Sequence, residues 1–279
     1  MFESVSPEVG TVDLTAVDAL LSSDADAVLS LLVEMSQAVD ESLRNEARRI
    51  AERVVVDVAK RGNAARRKVG RLKSRPFIDG GDVDVDAAVE ALAESGGAPL
   101  SVEQLRVLDW ERPQSSIVLV IDRSGSMSGE ALASATLAAA VVVLRAPDAH
   151  AVISFAGDVD IIRPMTFDAT VEPSTIVDEV LALRGHGSTN VAAALREAAA
   201  QHRISRRSHC ITILLSDCRQ SSKDDLVAAG AGLDDLVIVA PQGDDDDARA
   251  FAAEVGARCV SVAGPSDVAR ALDDLFSYT

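Results

Sequence analysis

The sequence predicts an α/β fold, with a mostly parallel central sheet, one antiparallel edge strand and helices on both faces, preceded by a helical N-terminal region. Three observations predict it. From residue 117 onward, short apolar runs alternate with helical patterns, as in a parallel sheet with covering helices. One pair of runs is joined by Gly157-Asp158, a hairpin signal that puts a single antiparallel strand on the sheet. Between about residues 13 and 75, apolar residues instead recur at helical spacing.

In chain order, Leu14, Val17, Leu20 and Leu21, then Val28, Leu29, Leu32 and Val33, then Leu43, Ala47, Ile50, Ala51 and Val54 mark about three helices, the last long and basic. Gly62 and Gly70 punctuate its end and Pro76 closes it, so residues 1–76 form the helical region. Residues 77–114 form a connecting segment. There, Asp84 or Asp86 offers an N-cap for a short helix over 87–94, Gly96-Gly97 stops it, and LRVLDWERP makes a short strand demoted to an edge by Pro113. Residues 115–279 form the α/β body. Its strands are expected at 117–121, 150–156, 159–165, 210–216, 236–241 and 258–264, and its helices at 129–145, 173–183, 190–203, 246–255 and 266–276.

The composition narrows the functional classes. A chain of 279 residues, 48% hydrophobic, buries a sizeable core, and with only 3% aromatics that core is built from Ala, Val, Leu and Ile. No run approaches the roughly 18 apolar residues of a membrane span, and MFESVSPEVG lacks the basic and apolar regions of a signal peptide, so a cytoplasmic protein is expected. Cys210, Cys218 and Cys259 have no metal-ligand spacing and read as reduced thiols. The net charge of −17 is uneven: residues 44–75 carry twelve Lys and Arg against Glu46, Glu52 and Asp57. That segment lacks aromatics to stack on bases, so it reads as a partner-docking or self-docking helix and not as a nucleic-acid groove.

Three segments place oxygen ligands at the carboxyl ends of predicted strands, where doubly wound sheets gather their ligands. They are Asp122, Ser124 and Ser126 in IVLVIDRSGSMSG, Thr189 in GSTN at a helix start, and Ser216-Asp217 after ILL. Two carboxylates with several hydroxyls, and no His or Cys, suit Mg2+, Mn2+ or Ca2+ and suit zinc or copper poorly. A capped turn is the plain alternative for Asp122 and its serines, but it does not account for Thr189 and Asp217 as well.

DRSGSM after a strand, GSTN at a helix start and LLSD after a later strand together resemble the von Willebrand factor A domain with its metal-ion-dependent adhesion site, on a Rossmann-like fold over roughly 115–279. The resemblance implies that Asp122, Ser124, Ser126, Thr189 and Asp217 surround one Mg2+, with Mn2+ or Ca2+ as substitutes, and that a partner's Asp or Glu completes the site. The helical front, GDVDVD and RVLDWERP resemble bacterial intracellular CoxE-like and magnesium-chelatase-D-like proteins that work beside a MoxR-type AAA+ ATPase. This implies a non-enzymatic adaptor whose partner is that ATPase or its client, in protein remodelling or metallocofactor maturation. Two departures stand out. Cys218 follows the last Asp where the family commonly has Gly, and His186 and Ser188 stand where glycine is frequent. A Mg2+-dependent phosphohydrolase of the haloacid-dehalogenase type is the enzymatic alternative, but its general acid would fall at Ser124, which cannot act as a carboxylic acid does. SGSMSG lacks the spacing and the Lys of a phosphate cradle, so nucleotide hydrolysis belongs to another chain. The run from Asp244 to Asp247 reads as a solvated helix start.

Overall fold

The computed structural model describes residues 5, 12–21, 23–38, 41–64, 71–77, 82–96, 99–111, 115–124, 129–166, 171–185, 187–205 and 207–276. The chain divides into two compact units, one of residues 1–66 with 115–279 and the other of residues 67–114.

The first unit is built on a six-stranded sheet of β4 (Ser115–Asp122), β5 (His150–Phe155), β6 (Val159–Arg163), β7 (His209–Leu215), β8 (Asp235–Pro241) and β9 (Arg258–Val262), in the order β6-β5-β4-β7-β8-β9. All neighbours are parallel except β5 and β6, which form the antiparallel edge expected from Gly157-Asp158. The apolar runs are continuous because both faces are covered. Ile117, Leu119 and Ile121 of β4 enter one core, with Val152, Ile211, Ile213, Val237 and Val239. Val118 and Val120 enter the other, with Ile153, Phe155, Leu214 and Ile238.

Helices α5 (Gly129–Arg145), α6 (Pro173–Leu181) and α10 (Pro265–Leu275) share the first of these cores, and α7 (Val191–Ser205), α8 (Leu226–Ala231) and α9 (Asp246–Val255) contribute to the second. Three N-terminal helices, α1 (Leu14–Leu21), α2 (Ala25–Met35) and α3 (Glu41–Ala64), belong to this same unit. Val28, Leu29, Leu32 and Val33 of α2 and Ala47, Ile50, Ala51, Val54 and Val55 of α3 join the core around α5. Helix α5 thus has the sheet on one side and α2 and α3 on the other. Twelve of its seventeen residues are buried, which is why GEALASATLAAAVVVLR is apolar nearly all round.

Polar contacts fix this third layer. Asp26 of α2 accepts hydrogen bonds from the Ser266 backbone N–H and hydroxyl, supplying α10 with a cap from 240 residues away in sequence. Gln37 donates to the Leu183 carbonyl at 3.3 Å, and Arg48 of α3 lies 3.6 Å from Asp178 of α6. Arg145, its side chain 3% exposed, forms an ion pair with Asp273 between α5 and α10. Among the described residues, no helix is long and apolar enough to cross a membrane.

The second unit is a small antiparallel sheet of β1 (Arg71–Pro76), β3 (Arg106–Glu111) and β2 (Asp82–Val83), with helix α4 (Val85–Glu94). Asp84 caps α4 by accepting from the Ala87 N–H at 3.1 Å, as the sequence suggested. Arg106 donates to the Ser74 hydroxyl and carbonyl, tying β3 to β1. Two features differ from expectation. Residues 71–76 are a strand, where the helical pattern was expected to run out. Strand β3 has a partner on each side instead of lying at an edge, because Pro113 falls beyond the last paired residue, Glu111, and removes no ladder hydrogen bond.

Candidate metal centre

The chain leaves β4 toward β5 on one side of the sheet and later returns to β7 on the other, so the carboxyl ends of β4 and β7 flank the switch point where such sheets open a crevice. Asp122 is the last residue of β4, and Ser216 and Asp217 directly follow β7. The parallel register sets Ile121 beside Leu215, which brings these residues to one level.

One Asp122 carboxylate oxygen accepts from the Ser124 backbone N–H at 2.8 Å, and the other accepts from the Ser216 hydroxyl at 2.5 Å. Ser216 in turn accepts from the Cys218 N–H at 2.9 Å. The carboxylate of β4 is therefore oriented by the turn that carries Asp217. Burial pushes the Asp122 pKa above the ordinary carboxylate value and the charge of Asp217 adds to this, while hydrogen bonds from Ser124 and Ser216 pull the other way. A cation at this point would relieve that strain on the ionised form.

Thr189 reaches the same edge by a different route. The Asn190 N–H donates to the Ala156 carbonyl at the end of β5, while Thr189 exchanges backbone contacts with Ser221 in the loop after β7. The loop is thus tied to β5 on one side and to the loop after β7 on the other. Thr189 is 8% exposed, and its hydroxyl makes no hydrogen bond among the described residues. Ser126 and His186 lie outside the described residues.

The donor set tests well against a hard divalent ion. It offers two carboxylates and hydroxyls, and among the described residues no three His, Cys, Asp or Glu side chains cluster to hold a metal by themselves. Cys218 is buried, and burial raises its thiol pKa above the ordinary value. It holds a left-handed backbone with φ of 64°, the conformation glycine takes most readily. The substitution therefore keeps the turn at some cost in strain.

Asp122, Ser124, Ser216 and Asp217 open onto a cleft of about 510 Å3, with Glu130 and Asp244 also lining it and Ile121, Leu215 and Val239 among its apolar walls. Arg219, which no sequence motif singles out, lies 3.9 Å from Asp217, pairs with Asp244 and lies 3.5 Å from Asp247. Asp245 is held by Arg249 and Ser261. The acidic run 244–247 opens α9 as expected, and three of its four carboxylates have arginine partners.

Residues 117–220, which span all five expected ligands, match the family model of the von Willebrand factor type A domain. No curated protein matches the chain. Several solved structures are similar. One is a von Willebrand factor type A protein from Catenulispora acidiphila, at 17% identity and a TM-score of 0.48, covering 61% of this chain and 43% of that one. Another is the conserved hypothetical protein BatB from Bacteroides thetaiotaomicron, at 14% and 0.47, covering 59% and 97%. A third is proximal thread matrix protein 1 from the mussel byssus, with a zinc-occupied MIDAS motif, at 13% and 0.43, covering 59% and 47%. The chain spans less than half the length of the first and third of these. Residues 117–220 thus match the von Willebrand factor A domain, and from β4 onward the protein forms a mostly parallel sheet with one antiparallel edge, preceded by a helical N-terminal region.

Proposed function

We propose that this protein is a cytoplasmic, non-enzymatic adaptor that binds a partner protein through a divalent cation, Mg2+ by preference, held by Asp122, Ser124, Ser126, Thr189 and Asp217. The observation that carries the reading is the meeting at the ends of β4 and β7, where the half-buried Asp122 carboxylate, oriented by Ser124 and Ser216, opens with Asp217 onto one cleft. The loop that carries Thr189 is tied to β5 through Asn190 and to the loop after β7 through Ser221. Few negative ligands leave a bound cation electrophilic, and it supplies one open position for an Asp or Glu side chain of the partner. Asp122 and Asp217 contribute the charge, the hydroxyls contribute neutral donors, and Ser216 keeps Asp122 in its rotamer. The resemblance of the front half to CoxE-like proteins points to a MoxR-type AAA+ ATPase or its client as that partner. Against hydrolysis, Ser124 occupies the position where a phosphohydrolase of this layout needs a carboxylic acid.

Titrating Mg2+ or Mn2+ while following thermal unfolding tests the reading. At about 100 times its dissociation constant, the ion adds roughly 2.7 kcal/mol, a saturable rise in midpoint that Asp122→Ala abolishes. No shift at millimolar metal would contradict it. Phosphatase turnover lost in Asp122→Asn would instead favour the enzyme.

A further inference from the structure

Large apolar side chains are unevenly exposed. Of the nine that stay exposed among the described residues, six belong to the 48 residues of the second unit: Phe77, Val83, Val85, Val89, Leu92 and Val102. Three of these follow helical spacing on α4, at i, i+4 and i+7. Val85 is 65% exposed, Val89 60% and Leu92 39%. At about 100° per residue they fall within a stripe roughly 60° wide. The half-buried positions of α4 are alanines, 87, 88 and 91, so the helix turns its small side chains inward and its large apolar ones outward. Folding of the unit alone would favour the reverse. Within the second unit, none of the three strands packs extensively along α4.

Charge identifies what fits there. Asp86, Glu90 and Glu94, all exposed, form a second stripe along the same helix, and α4 carries no basic residue. Such a flank repels phosphate, whether on a nucleic acid or on an anionic lipid surface. Pairing two copies of α4 would set acid against acid with no cation to offset it. We propose that α4 is a docking helix for a second protein, and that it receives an amphipathic helix whose apolar seam is flanked by Lys or Arg. The contact is independent of the metal centre.

The test uses the full chain and a fluorescently labelled synthetic helix of about 18 residues made of Leu, Lys and Ala, beside a counterpart with Glu in place of Lys. The Lys peptide is expected to bind, with or without chelator, and the Glu peptide is not. Val89→Asp and Glu90→Lys should each weaken binding of the Lys peptide by roughly tenfold or more, while the thermal midpoint stays within about 2 °C of the parent. Four results would overturn the proposal. Binding unchanged by Val89→Asp would mean general attraction to an acidic chain, and binding of the Glu peptide would remove the charge argument. A marked fall in midpoint for Val89→Asp would mean that the stripe packs within its own chain. A parent dimer dissociated by Val89→Asp would make the stripe a self-interface.

Discussion

Protonation of His202 should loosen the pair of strands that carries the candidate site. The His202 ring lies under the sheet, 7% exposed, with Nδ1 2.8 Å from the Ser116 hydroxyl on β4 and Nε2 3.0 Å from the Thr212 hydroxyl on β7. Two hydroxyls satisfy a neutral imidazole in either tautomer but offer an imidazolium no countercharge. Burial lowers the pKa from 6.5 to about 4, slightly offset by Asp234. Because the folded value is depressed, the unfolded chain takes up the proton first as pH falls. The stabilising contribution is therefore complete above 6.5 and is lost on the way down to about 4. The full gap corresponds to roughly 3 kcal/mol, of which about 2 kcal/mol should be gone by pH ~5. Urea unfolding of the parent and of His202→Gln, at pH ~7.5 and ~5, isolates this part, since all other groups titrate in both proteins. The parent should lose about 2 kcal/mol more than the variant over that interval. Equal losses, or a His202 ring that titrates at the ordinary histidine value by NMR, would mean that the ring is not held neutral beneath the sheet.

Three further outcomes follow from particular contacts. Asp273→Ala leaves the Arg145 guanidinium buried without its carboxylate and should cost roughly 3–5 kcal/mol in chemical unfolding; a loss below about 1 kcal/mol would mean that the pair is open to solvent. Asp26→Ala removes the cap that α2 gives α10 and should cost about 1 kcal/mol, with faster amide exchange at Ser266; unaltered exchange there would contradict the docking of α2. Cys218→Gly should be more stable than Cys218→Ala by about 1 kcal/mol, since only glycine relieves the left-handed backbone; Ala equal to or better than Gly would show that no strain resides there.

Much of the body was legible because its strands are buried on both faces and read as unbroken apolar runs. The six expected strands all form, with ends shifted by a residue or two, and α5 and α9 begin and end where the pattern placed them. The short helix α8, six residues long, was missed, since LVAAGA is too brief to establish a period. The amphipathic stripes of α2 and α3 signalled that these helices bury a face but not against what. Only the all-round apolarity of α5 held that information, as it demands a cover on the side away from the sheet. Strand β1 was hidden because RLKSRP is charged and has no apolar alternation. At the site, the carboxylates and hydroxyls are visible in the sequence because strand ends are. The Ser216 hydrogen bond to Asp122 and the Arg219 link from Asp217 to α9 depend on three-dimensional adjacency, which no spacing encodes.

Crystals grown with Mn2+ and measured at its absorption edge would locate the ion itself. One anomalous peak is expected at the carboxyl end of β4, within about 2.5 Å of oxygens from the Ser124 and Thr189 side chains, with Asp122 and Asp217 contacting the ion directly or through water. A fully loaded crystal without density there, or with its peak among Asp244 to Asp247 instead, would mean that these residues do not share an ion.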